Sequence, residues 1–101
     1  MYVKGLGVPQ DYKTAVKWYR LAAEQGHAKS QTNLGTMYGK GVGVEQSHVY
    51  AAMWTAIAGS NGDDRGKELF EIIRARYLSP KEIKAVEQLA RECVKKNYKG
   101  C

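Results

Sequence analysis

The sequence has little of several features that define common classes of protein. It has no run of about 18 apolar residues, so it predicts no transmembrane helix. Residues 1–10 also lack the apolar h-region of a signal peptide. Only two prolines accompany 44% hydrophobic and 26% charged residues, a composition typical of a globular domain rather than a disordered chain. A length of 101 residues allows one domain at most.

Catalytic and metal-binding motifs are also absent from the sequence. No serine or cysteine lies in a local motif with a histidine and an acid, so hydrolytic chemistry has no support. The glycines at 39–43 lack the spacing of a phosphate loop and follow a predicted helix rather than a strand. His27 and His48 lie beside predicted helix ends, where a histidine is usually a cap or a surface residue. We therefore expect no catalytic residue, no cofactor and no metal, and predict that the protein is not an enzyme.

Positive charge is concentrated in the C-terminal third of the chain. The net charge is +6, and residues 65–101 contain 10 Lys and Arg against 5 Asp and Glu. Such an excess favours acidic partners or nucleic acid, although a solvated face is the simpler interpretation. We therefore rank nucleic-acid binding third among the functions considered. The cations it would use are Arg74, Arg76, Lys81, Lys84, Arg91, Lys95, Lys96 and Lys99.

The strongest signal is an internal repeat with a period of 36 residues. Shifting residues 1–26 onto 37–62 gives 11 identical pairs out of 26, including Trp18 with Trp54 and three pairs of glycines. Repetition at a period of roughly 20 to 50 residues is typical of a solenoid. The first unit lacks one helix of its pair, so we expect either a longer array or a homo-oligomer formed through this incomplete N-terminal repeat.

Apolar residues recur at the spacing of one helix face within each unit. They are Ala15, Trp18, Tyr19 and Ala22 in the first unit, and Ala51, Trp54 and Ala58 in the second. We expect both tryptophans to be core residues, because each lies among small alanines that leave room for a large ring. Gly35 falls inside a predicted helix, where glycine costs about 1 kcal/mol relative to alanine. A neighbouring helix is therefore expected to approach closely at Gly35.

Start and stop signals divide the chain into about five helices. Gly26 is expected to end the first, since glycine readily adopts the left-handed conformation of a C-cap. Ser47 is expected to cap the third, and Ser79, Pro80 and Glu82 form a capping box that begins the last. The predicted fold is all-α, a single-domain α/α superhelix of helix-turn-helix repeats with a C-terminal capping helix. Its parts are a partial repeat at 1–26, a complete repeat at 27–62, a degenerate repeat helix at 63–78, and the capping helix and tail at 79–101.

Three stretches carry a resemblance to a known family: YVKGLGVPQDY, AVKWYRLAAEQGHAKSQTNLG and LGTMYGKGVGV. They resemble the Sel-one-like repeat family, a helical relative of the tetratricopeptide repeat, over residues 1–62. Ser47 and His48 depart from the Asp-Tyr pair more common in that family, which is present at Asp11 and Tyr12. The resemblance implies stacked α/α repeats that act as adaptors in protein complexes, often in bacterial signalling or host interaction. The residues that match as structural positions are Leu34, Gly35, Tyr38, Gly41, Gly43, Ala51, Trp54 and Ala58.

The only two cysteines lie eight residues apart near the end of the sequence. If the last helix ends near Asn97, Gly100 lets the tail fold back and brings Cys93 to Cys101. The resulting disulfide would be worth roughly 2.5 kcal/mol in the chain-entropy model. Two free thiols are the alternative, and zinc ranks third because no CxxC is present. A disulfide would indicate a periplasmic or secreted protein, whereas free thiols would indicate the cytoplasm.

Several aromatic and basic residues without an assigned core role are candidates for peptide binding. Tyr19, Tyr50, Lys17 and Arg20 would suit a peptide if they line the concave side, because tyrosine and arginine are enriched at binding hot spots. The leading hypothesis is a non-enzymatic protein-interaction or scaffold module with a protein or peptide ligand. The alternative is a small cell-envelope enzyme or ligand-binding protein, which needs a deep pocket with convergent polar groups.

Overall fold

The computed structural model describes residues 11–101, which fold into five α-helices and contain no strand. The helices are α1 (Asp11–Glu24), α2 (Ala28–Lys40), α3 (His48–Ser60), α4 (Asp64–Tyr77) and α5 (Pro80–Lys95). Each of α1, α2 and α3 packs against the helix that follows it, and α5 packs against α3 rather than α4. The predicted all-α fold with five helices is confirmed. Residues 1–10 of the predicted partial repeat lie outside the described residues. Within residues 11–101, no helix is long and apolar enough to cross a membrane.

Polar side chains fix where three of the helices begin. The hydroxyl of Ser47 accepts a hydrogen bond from the N–H of Tyr50 at 3.1 Å, as expected for the cap of α3. At the start of α5, the hydroxyl of Ser79 accepts from the N–H of Glu82 at 3.2 Å, and the Glu82 carboxylate accepts from the N–H of Ser79 at 2.9 Å. His27 caps α2 through Nδ1 in the same way. These bonds satisfy amide groups that the first turn of a helix leaves unpaired.

The centre of the fold is α3. Most of its residues are buried, namely Ala51, Ala52, Met53, Trp54, Thr55, Ile57 and Ala58. It contacts α2, α4 and α5, so three helices share it as their common packing partner. A helix that is apolar around most of its surface is typical of the interior of a protein. The position of α3 therefore decides where the remaining helices leave space between them.

Glycines allow α2 and α4 to lie close to α3. A Cβ atom added at Gly35 of α2 would lie 2.8 Å from Cγ2 of Thr55 and 3.0 Å from the carbonyl oxygen of Ala51. A Cβ atom at Gly66 of α4 would lie 2.8 Å from the Cβ of Ala58. Real Cβ atoms do not approach other atoms so closely, because interiors are already packed to the density of organic crystals. The predicted close approach at Gly35 is confirmed.

The two repeat-equivalent tryptophans differ in burial. Trp54 is fully buried, as expected, but the expectation that Trp18 is also a core residue is wrong, because its side chain is 65% exposed. Three helices surround α3, whereas α1 packs mainly against α2 within the described part of the chain. Leu21 on the same helix is exposed for the same reason, at 51%. Equivalent positions in a repeat are thus equally buried only where their neighbours in the stack are also equivalent.

Candidate functional site

An open groove runs along the face of α3 that carries Ala56 and Ser60. On one side, α5 contributes Ala90 and Val94 to a cleft of about 460 Å³. On the other side, α4 contributes Phe70 to a cleft of about 430 Å³. Both clefts are lined by Ala56 and Ser60, so they meet along α3. We call the two clefts together the α3 groove; it exists because short side chains cover this face of α3 while α4 and α5 lie on either side of it.

The α3 groove is mainly apolar on its α5 side and carries positive charge on both sides. Val94 is 49% exposed, and Ile57, which lies beneath the floor, is nearly fully buried. Lys67 lies on the α4 side, and Arg91 and Lys95 lie on the α5 side, all three exposed. No acidic residue lines either cleft, and none of the three cations forms an ion pair with a carboxylate of residues 11–101. A contiguous apolar surface with a polar border is typical of an interaction site.

The C-terminal tail forms one end of the groove through Tyr98. The Tyr98 hydroxyl accepts a hydrogen bond from Nδ2 of Asn61 at 3.2 Å, and the same nitrogen donates to Oε1 of Gln31 at 2.9 Å. Gln31, which is fully buried, in turn donates through Nε2 to the carbonyl oxygen of Ala23 at 3.0 Å. A buried amide needs such partners, because an unpaired polar group inside a protein is costly. The network connects the tail through α3 and α2 to α1.

A disulfide between Cys93 and Cys101 closes the tail into a loop. No cysteine of residues 11–101 is left free in this arrangement. Inside the loop, Asn97 and Tyr98 have φ angles of 55° and 66°. The left-handed region costs an ordinary residue roughly 1–2 kcal/mol, so contacts outside the two residues must hold them there. The disulfide and the hydrogen bond to Asn61 supply these contacts and fix Tyr98 at the end of the groove.

Two of the four residues predicted to bind a peptide lie in an aromatic row on another part of the surface. The guanidinium of Arg20 donates to the hydroxyl of Tyr38, and its Cζ lies 5.9 Å from the centre of the Tyr38 ring. The rings of Tyr38 and Tyr50 have their centres 5.5 Å apart. Tyr38 therefore joins Arg20 to Tyr50, although they are far apart in sequence. Nη2 of Arg20 is thus already engaged with Tyr38.

The other two predicted residues are separate from this row. Tyr19 lines a small cleft of about 230 Å³ together with Tyr12 and Met37. Lys17 is exposed and has no side-chain hydrogen bond or ion pair within residues 11–101. None of the four predicted residues lines the α3 groove. Peptide binding by Tyr19, Lys17, Arg20 and Tyr50 stays a prediction.

Sequence reasoning missed the α3 groove. Its floor is made of Ala56 and Ser60, which are ordinary helix residues in the sequence, and the space above them depends on where α4 and α5 lie. Val94 is the signal that was available, since it follows the core residue Cys93 and so lies outside the apolar face of α5.

Within residues 11–101, no group of three or more His, Cys, Asp or Glu is arranged to hold a metal ion.

The fold and the open groove define a class of protein: an α/α helical-repeat protein, whose stacked helices present an extended surface rather than an enclosed pocket. The model of the Sel1 repeat matches residues 1–27 and 28–63. The chain therefore belongs to the Sel1 repeat family, in agreement with the resemblance seen in the sequence. No curated protein and no solved structure matches the chain significantly. Sel1 repeats generally mediate protein–protein interaction and are typically non-enzymatic scaffolds.

Proposed function

We propose that the protein is a non-enzymatic interaction module that binds a segment of a partner protein in the α3 groove. The observation that carries this proposal is the open face of α3 at Ala56 and Ser60, on a helix that is otherwise largely buried. Apolar side chains from α3, α4 and α5 border that face, which is the arrangement found where a partner segment lies in a groove between helices. The protein-interaction role general to Sel1 repeats supports the same conclusion.

The groove lies where the repeat pattern ends. In the domain organisation that we propose, residues 1–26 are a partial repeat, 27–62 the complete repeat, 63–78 a degenerate repeat helix and 79–101 the capping helix and tail. Only α3 among the groove helices belongs to the complete repeat, so both sides of the groove come from the less regular part of the chain. The side chains of α4 and α5 that would select a partner can then vary without disturbing the packing between repeats.

The alternative of a small cell-envelope enzyme or ligand-binding protein has less support. A site for a small molecule usually encloses most of its ligand and directs a few polar groups inward. The α3 groove is open along α3, and its cations Lys67, Arg91 and Lys95 are exposed rather than convergent. An extended macromolecular segment fits this shape better than a compact ligand.

A displayed library of random helical peptides tests the proposed function. The library is selected against the whole chain, and each enriched peptide is measured against the variant Ala56→Trp, in which a large side chain fills the groove. The matched control is Ala85→Trp, because Ala85 is an exposed alanine of α5 that does not line the groove. We expect binding to be lost in the first variant and kept in the second. Peptides that bind both variants equally, or a selection that enriches none, would contradict the proposal.

A further inference from the structure

We propose that the partner segment accepted by the α3 groove is an acidic amphipathic helix. The inference rests on the proposed function and adds the chemistry of the partner. Two properties of the groove carry it: positive charge on both sides of an apolar floor, and rows of side chains spaced by one helical turn.

The charges favour a partner with acidic residues on both flanks of its apolar face. Lys67 on α4 and Arg91 and Lys95 on α5 lie on opposite sides of the groove, and within residues 11–101 no carboxylate pairs with them. The stems of lysine and arginine extend an apolar wall while their charged ends stay in water. Since complementary charge steers association and suppresses wrong partners, an acidic segment is selected over a neutral or basic one.

The geometry favours a helical partner. Ala56 and Ser60 are four residues apart on α3, as are Ala90 and Val94 on α5, so each pair forms a row with the spacing of one turn. Rows of this spacing on one helix accept the corresponding rows of another. Residues 11–101 offer no strand to which an extended peptide could add. A docked helix with apolar residues at i and i+4 would fill the space above Ala56.

A protein segment fits the groove better than nucleic acid. Phosphate groups would satisfy Lys67, Arg91 and Lys95, but a phosphate backbone has no apolar group to cover Val94 and Ala90. Covering these side chains is favourable in proportion to the apolar area removed from water. An acidic amphipathic helix satisfies both the charges and the apolar floor.

The test uses three synthetic peptides derived from a groove-dependent sequence of the displayed library. They share its apolar residues and carry Glu, Gln or Lys at the flanking positions, and their affinities for the whole chain are measured by isothermal titration calorimetry. We expect the Glu peptide to bind most tightly and the Lys peptide least, with the affinity of the Glu peptide falling as salt increases. The double variant Arg91→Glu, Lys95→Glu should weaken the Glu peptide roughly tenfold or more and strengthen the Lys peptide.

A second double variant, Arg76→Glu, Lys81→Glu, is the matched control. It changes the net charge by the same amount, and both residues are exposed and outside the groove lining. The order of the three peptides should not change. Equal affinities of the three peptides, with binding still lost in Ala56→Trp, would overturn the acidic partner and leave the proposed function intact. A DNA duplex or a phosphatidylserine vesicle that binds more tightly than the Glu peptide, and depends on Arg91 and Lys95, would overturn the proposal in favour of a phosphate ligand.

Discussion

At the scale of single residues, the distance between α2 and α3 is set by Gly35. Alanine at this position gains up to about 1 kcal/mol of helix propensity. Its Cβ atom, however, would lie 3.0 Å from the backbone oxygen of Ala51, which cannot move without displacing α3. Overpacking of this kind typically costs about 1–3 kcal/mol. We therefore expect Gly35→Ala to lower the free energy of unfolding by about 1 kcal/mol or more, measured by urea denaturation.

The same helix provides the control for this substitution. A Cβ atom at Gly39 would lie 3.6 Å from the Cβ of Ala51, an ordinary van der Waals contact. Gly39→Ala should therefore keep its gain in helix propensity and raise the urea midpoint. If both alanine variants shift the midpoint in the same direction and by the same amount, the close approach of α2 to α3 does not limit residue 35.

Local and non-local residues differ in how well the sequence predicts them. Ser47 and Ser79 were predicted as caps because a cap depends on residues within one turn of it. The close approach of a helix at Gly35 was predictable because a glycine inside a helix lowers stability unless a neighbouring helix needs the space. The exposure of Trp18 and of Val94 depends instead on which helices lie beside α1 and α5. Aligning the repeats indicates which helices are neighbours only where the repeat continues. The sides of the α3 groove come from α4 and α5, which lie beyond the complete repeat, so the groove was not predicted.

At the scale of elements, the tail after α5 is linked by hydrogen bonds to α3, and through α3 to α2 and α1. It closes through Cys93 and Cys101 and reaches α3 through the hydrogen bond from Asn61 to Tyr98. Opening the disulfide enlarges the conformational freedom of the unfolded chain and so favours unfolding. We expect reduction to lower the free energy of unfolding by about 2.5 kcal/mol. Urea denaturation with and without dithiothreitol measures this difference.

The variant Cys101→Ser is the control for the disulfide. It removes the partly exposed cysteine and keeps Cys93, which is 1% exposed and belongs to the core. Its stability should resemble that of the reduced wild type and should not respond to dithiothreitol. Titration of two free thiols in the unreduced, unfolded wild type would show that the two cysteines are not paired. The disulfide would then not be what holds the tail against α3.

At the scale of the whole molecule, the complete repeat supplies most of the core, and the less regular part that follows it supplies most of the groove lining. The complete repeat supplies α2 and α3, whose contacts depend on small residues such as Gly35, Ala51 and Ala58. The irregular part, α4, α5 and the tail, supplies the sides and one end of the α3 groove. Buried packing positions thus lie mainly in the matched repeat, whereas the groove combines two residues of that repeat, Ala56 and Ser60, with side chains from outside it. A substitution in the first group should change stability, and one in the second should change partner binding.

The two tryptophans report on different parts of the fold, Trp18 on α1 and Trp54 on the core around α3. Because Trp18 is 65% exposed and Trp54 is fully buried, acrylamide should quench mainly the emission of Trp18. The variant Trp18→Phe should therefore have a clearly smaller quenching constant than the wild type, measured at low protein concentration. A quenching constant that is unchanged by Trp18→Phe at every concentration would contradict the exposure of α1. Wild-type quenching that falls as protein concentration rises, while that of Trp18→Phe stays constant, is the result expected if a second copy of the chain covers α1.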